Sequence, residues 1–553
     1  MTGLSPSPHV ADARTKRLTL IACILGSAVV FVDGTVVNVA LPAIRDDLDA
    51  GLATQQWIVE AYLLTLGSLL LVGGSLGDLL GRRLIFGVGL AGFGATSVIC
   101  ALAPTAELLV AARALQGVAG ALLVPSSLAV ITATFPAEER GAAIGTWTAW
   151  AGMAMVIGPL GGGLLVDHAT WRWIFAINVP FVLATLALVR AAVLESVDEE
   201  SSHRIDYLGA LLVALGLAGP VFALIEQPVH GFGDPLVALP GLAGMALLVA
   251  FVLHERRSDH PMLPLGIFRS RNFAVGNITT LLLYGGLGGA TFFVAIYLQQ
   301  VAGYSAVEAG LTLMPLTLIM FALSRRFGAL SDRIGPRALM GLGPIVAGVG
   351  LIAMGRLGTH VDYLTDLLPG VLVFGLGLSA TVAPLTNTVL GAVPQHNAGV
   401  ASGANNAISR VAGLLAIATI GAVVAAQFGS ALDDRLSGRA LDAGQRAAVR
   451  EVKTRPLSGG IPGRPELDRP VEAASVHAYR WGLGVGGALT ILGGVISLLG
   501  IVNPARTTPR LRRDHVHGAT ELAYPCPERR READAALAGS RAAAPAGAGA
   551  ARR

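Results

Sequence analysis

Residues 74–83 read Gly74-Ser75-Leu76-Gly77-Asp78-Leu79-Leu80-Gly81-Arg82-Arg83, and residues 328–337 read Gly328-Ala329-Leu330-Ser331-Asp332-Arg333-Ile334-Gly335-Pro336-Arg337. Five of the ten positions agree, at an offset of 254 residues (332 − 78 = 254). Each stretch is a short polar break after the second long apolar run of a series. The first runs of the two series begin near residues 18 and 272, again 254 apart (272 − 18 = 254). An offset shared by a loop and by the run two places before it indicates a duplicated unit rather than a chance pair of amphipathic loops. Two parallel copies about an axis along the membrane normal suit a device in which one half rocks against the other around a midplane site.

The runs are long enough to cross a bilayer, whose core of about 30 Å takes roughly 20 apolar residues in a helix. Strands are excluded because unpaired backbone is prohibitive in lipid. About fourteen such runs lie between residues 18 and 502. The expected fold is an all-α integral membrane protein with two six-helix halves plus two extra spans. Residues 1–17 form a cytoplasmic N-terminus, 18–193 the first half, and 194–271 two additional spans with linkers. The second half covers 272–502 and includes a polar outer loop at 429–479, and 503–553 reads as a disordered cytoplasmic tail.

Composition agrees. Of 553 residues 53% are apolar and only 14% charged, with mean hydropathy +0.64, against roughly 25% charged residues in average soluble chains. Ordinary cytosolic enzymes, disulfide scaffolds and disordered proteins are excluded. Cys23, Cys100 and Cys526 make neither a framework nor a metal or redox motif, so no cofactor or metal is expected. The net charge is only +4, and 38 arginines face two lysines, Lys16 and Lys453. Those arginines are topological rather than a nucleic-acid surface. With the N-terminus inside, the inner connections hold thirteen, including Arg82, Arg83, Arg333 and Arg337, and the outer ones three, Arg45, Arg172 and Arg356. The positive-inside rule then makes both termini cytoplasmic.

Each repeated loop places its carboxylate, Asp78 or Asp332, close to the start of the following helix, where the helix dipole favours it. Arg82, Arg83, Arg333 and Arg337 are close enough in sequence to pair with it. Gly74, Gly81, Gly328 and Gly335 permit a tight turn. The expectation is a cytoplasmic latch favouring the outward-facing state, with a purely topological charge cluster as the alternative.

Charges inside the bilayer each cost at least about 2.5 kcal/mol and call for a reason. Counting from the span ends at 1.5 Å per residue, Asp33, Glu60 and Arg113 all lie roughly 8–11 Å below the outer surface. They are expected to share one cavity, with Asp33 and Glu60 as proton or cation carriers and Arg113 as the group that tunes them. A static ion pair is the alternative for Asp33 and Arg113, and contact with outer water for Glu60. Arg410, near the middle of span 13, is expected to contact an anionic substrate or to pair across the cavity, with a structural bond to backbone carbonyls as the alternative. Trp147, Trp150 and Tyr62, with Tyr284, Phe292, Phe293 and Tyr297, offer aromatic faces for a lipophilic cation or serve as packing. Gly158, Pro159, Gly162 and Gly163 put small residues and a helix breaker in span 5, allowing close packing and a kink.

The chain resembles the major facilitator superfamily, and within it the fourteen-span drug:proton antiporters of the EmrB/QacA type. The resemblance rests on Asp33-Gly-Thr-Val-Val-Asn38-Val-Ala-Leu-Pro42, Gln56-Trp57-Ile-Val-Glu60-Ala-Tyr62 and the Gly74–Arg83 loop. It continues through Arg113-Ala-Leu-Gln116-Gly117, Gly158-Pro159-Leu-Gly-Gly162-Gly163 and Trp171-Arg-Trp-Ile-Phe-Ala-Ile-Asn178-Val-Pro180. Leu79 departs from the Arg usual in the family's loop, and Val411 from a common Gln. The resemblance implies coupling roles for Asp33, Glu60 and Arg113, and adds Asn38 to the substrate cavity. It also makes the span 5 segment a mark of antiporters, and implies export of drugs or other lipophilic molecules in exchange for protons by a monomer in the cytoplasmic membrane.

Competing classes are weaker. A nucleotide-driven pump needs Gly-Lys-Ser/Thr, but Lys16 follows Thr and Lys453 follows Val. Asp46-Asp47-Leu48-Asp49 has no second acidic cluster to make a membrane-embedded enzyme. A receptor would need a signalling domain. Within transporters the runner-up is a dedicated exporter of one antibiotic or metabolite.

Overall fold

A computed structural model describes residues 12–196, 206–259, 261–393 and 398–503. The expectations for residues 1–11 and for the tail after Asn503 lie outside them.

The first half holds α1 (Ala13–Leu48), α2 (Leu52–Leu80), α3 (Arg82–Leu102), α4 (Ala106–Thr134) and α5 (Ala137–His168), then the short α6 (Trp173–Ala176) and α7 (Asn178–Ala192). Local chemistry sets the starts. Asp12 caps α1 by accepting from Thr15 N at 2.9 Å, and Thr105 caps α4 through Leu108 N at 3.3 Å. The two additional spans are α8 (Tyr207–His230) and α9 (Pro235–Arg257). The second half holds α10 (Arg271–Gln300), α11 (Ala306–Thr312), α12 (Met314–Ile334), α13 (Pro336–Met354), α14 (Leu368–Gly391), α15 (Ala398–Leu436), α16 (Ala443–Val452) and α17 (Pro465–Gly500).

Among the described residues, twelve helices are long and apolar enough to cross a membrane, and α2 makes a thirteenth when its two bent segments are taken as one span. The remaining expected span falls on α5, a helix of 32 residues. The described residues contain helices and no strand.

The duplication is visible in how the two repeated loops end. Gly81 (φ 113°) and Gly335 (φ 88°) turn the chain between α2 and α3 and between α12 and α13, in a backbone region that side chains avoid. Glu195, just after the first half's last helix, accepts from Arg83 N at 3.0 Å and Leu84 N at 3.1 Å. Asn503, just after the second half's last helix, accepts from Arg337 N at 3.0 Å.

The stretch 429–479 contains the ends of α15 and α17 and all of α16. Leu432, Val449, Val452, Leu457 and Leu467 are buried in it, so it forms a packed cap over one end of the bundle. The cap is tied to the α1–α2 turn, because Leu52 N donates to Thr454 O at 3.1 Å and Arg455 pairs with Asp49.

The additional pair sits outside the duplication. α8 packs on α2 of one half and α15 of the other, and α9 packs on α8. Leu239, Leu242, Met245 and Val249 of α9 are exposed, as suits a helix facing lipid.

Candidate functional site

Asp33 of α1 and Arg113 of α4 form an ion pair with side chains 0% and 1% exposed. The close approach of α4 to α2 depends on Gly117, where a Cβ would collide with the carbonyl of Tyr62. That approach brings Arg113 Nε to 3.0 Å from Ile58 O and its guanidinium to 4.2 Å over the Tyr62 ring. Gln116, one turn on from Arg113, accepts from Arg113 Nη1 at 2.7 Å and donates from Nε2 to Asp33 Oδ1 at 3.1 Å and Ser97 Oγ at 2.9 Å. Asn178, at the start of α7, donates to Asp33 Oδ1 and Ser97 Oγ, both at 3.3 Å. Two opposite charges, two amides and a hydroxyl thus form a connected polar knot, which is what burying such groups requires.

Two of the three expected coupling charges meet, and the third, Glu60, makes no hydrogen bond or ion pair with them among the described residues. Glu60 is 0% exposed, yet neither carboxyl oxygen has a hydrogen-bond partner among the described residues. Gln116 and Asn178 stand in the quoted motifs but were given no role in the site, and Ser97 was not singled out at all. Gln116 carried a usable signal, because residues three apart on a helix share a face, whereas nothing local distinguishes Ser97.

Tyr62 lies under Arg113 and donates to Val30 O at 3.1 Å, so it packs the knot. Trp147 donates from Nε1 to Ser27 Oγ at 3.0 Å and meets Phe31 edge-on. Trp150 is 52% exposed. Phe292, Phe293 and Tyr297 are core residues, with Tyr297 stacked on Tyr479. Asn38 Oδ1 is buried with no hydrogen-bond partner among the described residues. Arg410 reaches from α15 toward α1 with its guanidinium 5.9 Å from the Phe31 ring, and no ion pair to it is found among the described residues.

The span 5 glycines form contact points. A Cβ on Gly158 or Gly162 would run into Thr35 or Val36 of α1. One on Gly163 would lie 2.6 Å from Val307 Cα, and one on Gly310 of α11 would lie 2.5 Å from Pro159 O. The Asp167 carboxylate accepts from Ala306 N at 3.0 Å and Val307 N at 2.9 Å, while Gln56 Nε2 donates to Ile417 O at 2.7 Å. These contacts and the cap join the halves at the end of the bundle away from the Gly81 and Gly335 turns.

Asp78 and Asp332 sit in the last turns of α2 and α12 rather than at the start of the following helices as expected, so an arginine and not the helix dipole answers the first charge: Arg82 pairs with Asp78 at 2.8 Å. The second copy differs: Asp332 is exposed, and Arg337 donates from Nε to Leu498 O at 2.6 Å. Arg83 and Arg333 lie beside their respective turns. The Asp46-Asp47-Leu48-Asp49 acids are engaged locally, Asp46 by Arg45, Asp47 by Arg172 and Trp171, and Asp49 by Arg455.

A duplicated membrane bundle, sealed between its halves at one end and holding a buried charge pair in one half, has the architecture of an alternating-access transporter. A model of the Major Facilitator Superfamily matches residues 23–417. The chain belongs to that superfamily and is a multi-pass membrane transporter. It is 35% identical over 489 residues to the tetracenomycin C resistance and export protein of Streptomyces glaucescens, covering 87% of this chain and 90% of the relative. It is 38% identical over 410 residues to a puromycin resistance protein of Streptomyces alboniger, covering 73% and 81%. Among solved structures, a bacterial homolog of the human lysosomal transporter Spinster, inward-facing and unoccupied, shares the fold with a TM-score of 0.64 at 17% identity, covering 89% of this chain and 98% of that one.

Proposed function

We propose that the protein is a proton-coupled antiporter exporting drugs or other lipophilic small molecules across the cytoplasmic membrane. The observation that carries the coupling is the Asp33–Arg113 pair, which is wholly buried and reached by the amides of Gln116 and Asn178. A proton arriving at Asp33 removes the negative charge and leaves Arg113 held by Ile58 O and Gln116. The knot then has two discrete arrangements, as an exchange cycle needs. Glu60 can take a proton without breaking any ion pair, which suits a second carrier.

The arginine bias supports placing the Gly81 and Gly335 turns, and both termini, in the cytoplasm. The sealed end, with Gly158, Pro159, Gly162 and Gly163, then faces outward, and the Asp78–Arg82 and Asp332 loops act as the latch when the other end closes. Arg410, Asn38, Tyr62, Trp147 and Trp150 border the path of the substrate, and one chain works as a monomer.

The second reading, a dedicated exporter of one compound, is favoured by the single antibiotics in the relatives' names. Flux of a panel of lipophilic cations and antibiotics in vesicles, with and without an imposed pH gradient, tests both. A panel-wide gradient-dependent response supports polyspecific antiport and one responder the dedicated exporter. Dependence on ATP alone removes both.

A further inference from the structure

The duplication leaves α8 and α9 unexplained, because neither half needs them to be complete. They do line something that is open on one side. Between α2, α10 and α15 on one side and α8 and α9 on the other lies a cavity of about 370 Å³. Gly67 and Ser68 of α2 border it, facing Ala404 and Ala407 of α15. Val213 and Leu217 of α8 and Phe251 of α9 supply the opposite wall, and Met262, Leu263 and Phe268 of the following segment close it.

Its depth follows from the helices. Val213 is six residues into α8 (213 − 207 = 6), and Phe251 is six from the end of α9 (257 − 251 = 6). Both are about 9 Å from the helix ends at 1.5 Å per residue, at the end that carries the Gly81 and Gly335 turns. The cavity therefore lies within the membrane thickness, on the cytoplasmic side in the proposed orientation.

Its polar side chains are already engaged. Ser68 Oγ donates to Leu64 O at 2.7 Å, and Asn277 Nδ2 to Phe273 O at 2.9 Å. Asn277 Oδ1 accepts from Asn405 Nδ2 at 3.1 Å. An occupant therefore has no unmet hydrogen bond to satisfy and gains by burying apolar surface. The volume falls within the range of about 300–1,000 Å³ of small-molecule sites.

The closing segment is also anchored. Glu255 Oε2 accepts from Leu263 N at 2.8 Å. Asp206, at the start of α8, is held by Gly209 N at 2.7 Å and His254 Nε2 at 2.8 Å. The segment is thus tied to the end of α9, and α8 and α9 are tied to each other. Gly67 adds a connection inward, because a Cβ there would lie 3.3 Å from Arg410 Cβ.

We propose that this chamber binds the apolar ring or alkyl portion of the exported molecule, and that α8 and α9 are present to form it. The proposal deepens the export reading and rests on it. The test uses the full chain in lipid nanodiscs, carrying Cys526→Ser because Cys23 and Cys100 are buried, and the neutral probe N-phenyl-1-naphthylamine. Ala407→Trp is expected to weaken probe binding at least ten-fold. Ala407→Cys is expected to react with N-ethylmaleimide at least five-fold more slowly when probe is saturating. Equal rates with and without probe, or no reaction at all, overturn the chamber even if the tryptophan variant does not fold. A co-purified phospholipid that protects Ala407→Cys and that the probe cannot displace also overturns it. The export reading is measured separately: wild-type vesicles that move no substrate under a pH gradient sink that reading, whereas the binding results judge the chamber alone.

Discussion

Gly163 of α5 and Val307 of α11 meet across the seam so closely that a Cβ on the glycine would lie 2.6 Å from Val307 Cα and 2.7 Å from Ala306 O. Those are backbone atoms and cannot rotate aside. Gly163→Ala should wedge the halves apart at this end, at a cost of about 1–3 kcal/mol typical of overpacking. Spin labels at the facing ends of α5 and α11 should report a longer distance, and coupled transport should fall at least ten-fold. An unchanged distance would mean that this seam is not a moving contact.

The charge knot makes a prediction in which stability and transport separate. Asp33→Asn leaves Arg113 buried without its counter-ion, and Arg113→Gln does the converse. Each should cost roughly 3–5 kcal/mol, as when one partner of a buried pair is removed. The double variant should recover most of that stability in thermal unfolding while transporting nothing against a gradient. Coupled transport by the double variant would reduce the pair to a structural bond.

Glu60→Gln should behave differently. Neither carboxyl oxygen of Glu60 has a partner to lose among the described residues. The melting temperature should therefore hardly move, while the response of efflux to an imposed pH gradient is lost. A full gradient response in this variant takes Glu60 out of the carrier set.

The split within the expected trio shows what the sequence could convey. Depth along each helix is countable from the span ends, so Asp33 and Arg113 can be set at a common level, and the structure pairs them. Azimuth is not, because it depends on how each helix is rotated against its neighbours. Tyr62 packs on Arg113, and Glu60 stands two residues away, about 200° round the helix at 100° per residue, so it points elsewhere. Gln116 could have been found from its three-residue spacing to Arg113. Ser97 and the packing of α8 against α2 and α15 depend on tertiary contacts with no local signature. The two halves were legible because a repeated loop and a repeated run keep one offset, 254 residues, whatever is inserted between them.

The last prediction tests that duplication as structure. Glu195 accepts from Arg83 N and Leu84 N at the start of α3, and Asn503 from Arg337 N at the start of α13. Both satisfy amides that a helix start otherwise leaves open. Glu195→Ala and Asn503→Ala should each cost about 0.5–2 kcal/mol, the usual range for a lost cap. The two share no partner, so the costs should add in the double variant. Hydrogen exchange should quicken at Arg83 and Leu84 in the first variant and at Arg337 in the second, with no cross-effect. Unequal roles would appear as quickened exchange at one turn only, and would mean that the copies have diverged in how they hold the repeated loop.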